Sequence, residues 1–394
     1  MNRRKFLKLA GAGAATAALG KLHWAWSQGE LKNLIIVSNA GGSVEPTISL
    51  IDPSSLQVLM TLPIPGTYSF PATRWDFERD LIWSGVPAGP NNAVLAYRLS
   101  TGEQVLELDT GSSQNYTEVT PDGRYVIVAA RFEDRYLKIS ADPDAADFGQ
   151  VVAEFDTYEG ASPCDMTVTR DGAYAYAPDR FGDTLTTVRI DPFERASVVP
   201  MERFADAPLE PFMGTVSPAG NVLFIENAIV DGGPDEGSES IFDLSDPANP
   251  VEIARFSQAD GLGRGPITSE FTWDGRYGIV ICRDSSELSI IDTESLELVK
   301  NVQFPSGSNP ITGFFAIDGE TFFVPLPGRD AVAAVSVPDF EVLELIPVGE
   351  RPMGVVYLKA RLPEREQVFY PLGVALATGR VFPDDCPYAC CGPV

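Results

Sequence analysis

The fold is decided by the stretch from Ser286 to Leu358. It opens on an alternating run, Leu288-Ser289-Ile290-Ile291-Asp292, then turns at Thr293-Glu294-Ser295 into a second run, Leu296 to Phe304. A loop ending in Asn309-Pro310 leads to a third run, Ile311 to Ala316, closed by Ile317-Asp318-Gly319. A fourth runs from Thr321 to Val324. The order then restarts with Ala331–Ser336, Phe340–Val348, Arg351-Pro352 and Met353–Leu358. Apolar and polar residues alternate over short runs, with Gly, Pro, Asp and Asn at the breaks. That is the signature of short antiparallel strands.

Outward from this stretch the same unit recurs. Tight turns stand at Pro121-Asp122-Gly123, Arg170-Asp171-Gly172, Pro218-Ala219-Gly220, Trp273-Asp274-Gly275 and Ile317-Asp318-Gly319, their glycines 49, 48, 55 and 44 residues apart. Phe77-Glu78-Arg79 is a degenerate member. Each turn joins a first strand to a second, and Met353–Leu358 is a first strand with no turn after it. Leu34-Ile35-Ile36-Val37 is a second strand with no first strand before it. The two orphans complete a seventh unit if they pair across the ends of the chain. Four-stranded units of this length suit propeller blades, and ring closure removes the exposed edges an open array would leave. A β-solenoid is the competing architecture, but its repeats are shorter and require no matching orphans. The expectation is an all-β, seven-bladed β-propeller over residues 28–358, closed by strands from both termini. A tail, 359–394, lies outside the repeat.

Leu345-Ile346-Pro347-Val348-Gly349-Glu350-Arg351-Pro352-Met353-Gly354-Val355-Val356 resembles the repeat of the YVTN family of β-propellers, and Ile51-Asp52, Ile190-Asp191 and Ile291-Asp292 match its other half. The Tyr-Val-Thr-Asn signature itself is absent; Ala175-Tyr176-Ala177-Pro178 and Phe323-Val324-Pro325-Leu326 stand in its place. The resemblance implies the fold rather than an activity. Similar propellers serve as heavy chains of periplasmic quinoprotein amine dehydrogenases, which implies a redox complex whose cofactor lies in a partner chain as an alternative role.

Residues 1–27 read as an export signal. Asn2-Arg3-Arg4-Lys5-Phe6-Leu7-Lys8 resembles the twin-arginine motif, a mild Gly/Ala-rich apolar segment follows, and Ala25-Trp26-Ser27 offers small residues for cleavage. The apolar segment is too short to span a bilayer. The expected location is the periplasm or the cell exterior. Cleavage leaves 24 basic against 55 acidic residues, a net charge of −31, which disfavours nucleic acid and anionic membranes as partners. It also removes His23, the only histidine. A chain without imidazole cannot build a Ser-His-Asp site or offer a His ligand to zinc, copper or haem. The reading is therefore a binding or scaffolding protein rather than an enzyme.

One rim of the ring collects the loops after second strands and before first strands. The former repeat an arginine–aspartate association: Arg131 with Asp134, Asp179-Arg180, Arg283-Asp284 and Arg329-Asp330. The latter add Tyr68, Asn115, Tyr116, Cys164, Phe212, Arg264, Asn309 and Arg351. Two readings stand here. Arg131, Arg180, Arg283, Arg329 and Arg351, with Tyr116 and Cys164, form a ring that docks an anionic ligand or a protein partner; or the motif is ordinary turn chemistry with weak surface ion pairs.

The insertion Asp231-Gly232-Gly233-Pro234-Asp235-Glu236-Gly237 clusters acidic oxygens without EF-hand spacing, and reads as a solvated loop before a Ca²⁺ site. The tail ends in Cys386-Pro387-Tyr388-Ala389-Cys390-Cys391. In an oxidising compartment these three cysteines allow a disulfide with one thiol left over, a thiolate site for a soft metal such as Cu(I), or attachment to another chain. Cys282 ends a strand and reads as buried and inert.

Overall fold

The computed structural model describes residues 31–44, 47–63, 73–76, 79, 81–85, 92–98, 103–112, 115–201, 209–227 and 237–361. The signal segment, the acidic residues 231–236, Tyr68, the degenerate turn at Phe77-Glu78 and Cys386, Cys390 and Cys391 lie outside these residues.

Seven four-stranded antiparallel sheets account for nearly all the described residues, and three short 3₁₀ turns are the only helical pieces among them. Sheets 2 to 7 follow in chain order, each taking four consecutive strands. Sheet 3, for example, comprises Asn115–Val119, Tyr125–Ala130, Arg135–Ser140 and Val151–Asp156. Sheet 1 is assembled from both ends of the chain. Its inner strand is Pro352–Arg361, followed by Leu31–Asn39, Thr47–Asp52 and Gln57–Pro63. Leu31 pairs with Arg361 and Asn39 with Pro352 along the seam. The orphan strands expected to close the ring are thus hydrogen-bonded partners, each longer than its apolar run alone indicated. The architecture is a β-propeller.

Burial grades across each sheet. In sheet 3 the second strand is apolar and buried at Val126, Ile127, Val128, Ala129 and Ala130, because neighbouring sheets cover both its faces. Outer strands alternate instead: Glu297–Gln303 points every second residue to solvent until Val302. Apolar clusters join consecutive sheets. Phe224 of sheet 5 meets Phe271 of sheet 6 at 4.7 Å between ring centroids. Ile35, Val37 and Tyr357 of sheet 1 pack with Phe323, Val332 and Ala334 of sheet 7.

The Asp-Gly turns lie where the spacing placed them. Thr120 donates its hydroxyl to Asp122 at 2.7 Å, Gly123 closes the turn with φ of 64°, and the turns at Thr169 and Thr272 repeat the pattern. A β-branched or bulky residue would be strained at such a φ. The expected first strand Ile311–Ala316 is shorter in the structure, only Phe314–Phe315. No helix among the described residues is long and apolar enough to cross a membrane.

Candidate binding site on the loop rim

The rim loops are fastened sheet to sheet by their acidic residues. Asp134, Asp183 and Asp330 sit at equivalent corners with φ of 48°, 51° and 50°, a left-handed conformation that aspartate tolerates. Each side chain accepts backbone N–H groups from the loop entering the next sheet. Asp134 takes Gly160 and Ser162, both at 2.7 Å; Asp183 takes Leu209 at 2.9 Å and Glu210 at 3.0 Å; Asp330 takes Arg351 at 2.9 Å. Ser286 fills the same corner in sheet 6 and accepts from Ser308. Much of the repeated aspartate is therefore a clamp between blades, which holds the rim in a fixed shape.

On this frame the arginines take different positions. Arg283 donates to its neighbour Asp284 at 2.8 Å, half exposed. Arg329 is exposed and donates to the Ser306 carbonyl. Arg351 is exposed on the loop into sheet 1. Arg131 and Arg180, in sheets 3 and 4, are buried and close together. Arg131 donates through Nε to the Ser162 hydroxyl at 3.0 Å, and its guanidinium lies 5.5 Å from the ring centroids of both Phe132 and Phe181. Arg180 donates Nε and Nη2 to Oε2 of Glu210 at 3.0 and 2.7 Å, and lies over Phe181 and Phe212 at 5.4 and 5.7 Å. Beneath Arg180, Asp179 is fully buried and accepts hydroxyls from Thr184 at 2.7 Å, Thr186 at 2.6 Å and Tyr136 at 3.2 Å. Burial pushes its carboxyl up to about 6, against the pull of those hydroxyls and of Tyr158.

Tyr116 and Cys164 complete the group. Cys164 is fully buried; its backbone N–H donates to Pro178, and a bridge between Pro163 and Asp179 draws this loop into sheet 4. Burial pushes its thiol up to about 11, while Arg131, the Tyr116 hydroxyl and Arg180 pull the other way. Such a thiol is not an activated nucleophile at neutral pH. Tyr116 is raised further, chiefly by burial. Cys282 is also fully buried with its thiol raised, and no three His, Cys, Asp or Glu side chains among the described residues converge as a metal-binding group.

Four residues expected at the rim, Arg131, Arg180, Tyr116 and Cys164, therefore form one cluster spanning sheets 3 and 4. Arg283, Arg329 and Arg351 stay local to sheets 6, 7 and 1. The residues that give the cluster its accessible face were missed: Phe132 and Phe181, 56% and 54% exposed, each directly after an arginine. The repeated Arg-Phe dipeptide was the available signal.

No protein-family model matches the chain, and no curated protein does. Solved structures do. The periplasmic gluconolactonase of Pseudomonas aeruginosa is 18% identical with a TM-score of 0.64, covering 84% of this chain and 99% of that one. A putative 6-phosphogluconolactonase from Bacteroides uniformis is 16% identical with a TM-score of 0.62, covering 84% and 100%. Hydrazine synthase of Kuenenia stuttgartiensis is 15% identical with a TM-score of 0.55, covering 73% and 91%. At these identities the likeness is one of fold.

Proposed function

We propose that the chain is an exported, non-catalytic β-propeller that binds a carboxylate-bearing protein partner on the rim of sheets 3 and 4. The observation that carries this reading is the pair of exposed phenylalanines, Phe132 and Phe181, each stacked by buried arginines. Exposed aromatics beside arginine have the composition of interface hot spots, and a guanidinium held against a ring has little entropy left to lose on binding. Arg131 and Arg180 bring positive charge up against the two rings, which suits a partner that carries carboxylates. The lack of histidine in the mature chain supports binding over catalysis. Arg3-Arg4 in its motif context supports export; with both changed to Lys, the precursor stays in the cytoplasm.

The test is comparative capture. Tagged wild-type chain and the variant Arg131→Gln/Phe132→Ala/Phe181→Ala are incubated with periplasmic extract, and bound chains are quantified by mass spectrometry. A stoichiometric partner of the wild type is lost from the variant. Equal recovery on both rules the patch out. A captured chain that carries a quinone assigns the propeller to a redox complex.

A further inference from the structure

Apart from the rim cluster, the most anomalous groups are two glutamates in sheet 5. Glu226 lies on the second strand, Val222–Asn227, and Glu239 on the third, Ser238–Asp243, and the register sets them directly opposite one another. Phe224 and Ile241, two residues along each strand, pack with Phe271, Val280 and Cys282 of sheet 6. Strand alternation therefore turns both glutamates to that same face. Both are fully buried, and none of their four carboxylate oxygens makes a hydrogen bond of good geometry. The Ser269 hydroxyl of sheet 6 lies beside Glu226, also fully buried and with no hydrogen bond of good geometry. Asp165 and Glu270 add negative field at Glu226. Burial pushes Glu226 up to about 7, and burial with repulsion from Glu226 raises Glu239 well above its ordinary value.

Like charges directly opposed in a sheet repel, and each unsatisfied buried polar group costs about 1–3 kcal/mol. Buried carboxylates persist when they are paired or coordinate an ion. We propose that Glu226 and Glu239, with the Ser269 hydroxyl, hold a Ca²⁺ ion between sheets 5 and 6. The donors choose the ion. All three are oxygens, a donor set that suits a hard cation rather than a thiophilic metal. No three acidic, Cys or His side chains converge among the described residues, so any further ligands would have to be carbonyl or water oxygens. Ca²⁺ accepts such a mixed and irregular shell; zinc and copper do not, and Mg²⁺ demands a tighter octahedron.

The test uses the mature full-length chain, freed of metal by chelator and dialysed at about pH 8, where Ca²⁺ competes with fewest protons. Equilibrium dialysis against CaCl₂, with MgCl₂ at equal ionic strength as control, yields one Ca²⁺ per chain at a dissociation constant of about 10⁻⁴–10⁻³ M. The melting temperature rises with the same saturation curve. Glu226→Gln/Glu239→Gln, nearly isosteric, abolishes both effects, and Ser269→Ala weakens binding several-fold. Should the double variant not fold, Glu226→Gln alone is read, and it weakens binding at least tenfold. A wild type with no stoichiometric Ca²⁺, Mg²⁺ bound equally well, or variants that bind as the wild type does, overturns the proposal.

Discussion

Arg131 of sheet 3 lies against the ring of Phe181 in sheet 4, 5.5 Å from its centroid, and Arg180 lies against the same ring at 5.4 Å. One exposed side chain is thereby held by two buried guanidiniums from neighbouring blades. That relationship makes the rim a preformed surface rather than a set of independent loops.

Replacing Phe181 by Ala removes both ring contacts, at about 0.5–1 kcal/mol each. The expected loss of stability is about 1–2 kcal/mol by urea denaturation. Phe132→Ala costs less, since among the described residues Arg131 alone lies over its ring. Losses well above this for Phe181 mean that its role is packing, not presentation.

The aspartate clamps give a sharper contrast. Asp134 accepts two backbone N–H groups across a blade boundary, so Asp134→Ala costs roughly 2–4 kcal/mol. Asp284 makes a half-exposed ion pair with Arg283, so Asp284→Ala costs under about 1 kcal/mol. Equal effects at the two positions would remove the distinction between clamp and surface pair.

Asp179 makes stability depend on pH in a set direction. Between its ordinary 3.8 and about 6, the folded chain keeps a proton that the unfolded chain has released. Stability therefore falls as pH rises through that window, by roughly 3 kcal/mol, and this contribution is flat above it. Asp179→Asn carries no such titration. The difference in unfolding free energy, wild type minus variant, should shrink by about 2 kcal/mol from pH 4 to 6.5; parallel curves refute it.

Ring closure predicts the effect of truncation. Ending the chain at Gly349 removes Pro352–Arg361 and leaves Leu31–Asn39 without its inner partner. The product exposes an unpaired edge and should aggregate or melt far below the full chain. A soluble truncation with an unchanged melting temperature contradicts the topology.

Turns, strand order and closure were legible in the sequence because they are local or countable. An Asp-Gly turn needs four residues, and orphan strands announce themselves by arithmetic. The rim was legible only as a list of residues. Cys164 read as a rim-loop residue because its flanks, Ser162-Pro163 and Asp165, carry loop signals, yet the bridge to Asp179 pulls it into the sheet. Glu226 and Glu239 are 13 residues apart in the chain, and only strand register makes them neighbours. Nor could spacing tell which arginines meet, since that depends on how adjacent blades pack. The Arg-Phe repeat at 131–132 and 180–181 was the one overlooked sign.

The most direct measurement of the binding face is site-specific photo-crosslinking in the producing cells. A benzophenone amino acid replaces Phe181, and in a separate strain Val251, an equally exposed outer-strand residue of sheet 5. The account predicts a discrete adduct from position 181, none from position 251, and loss of the first when Arg131 is changed to Gln. Adducts from both positions alike, or from neither, would contradict it.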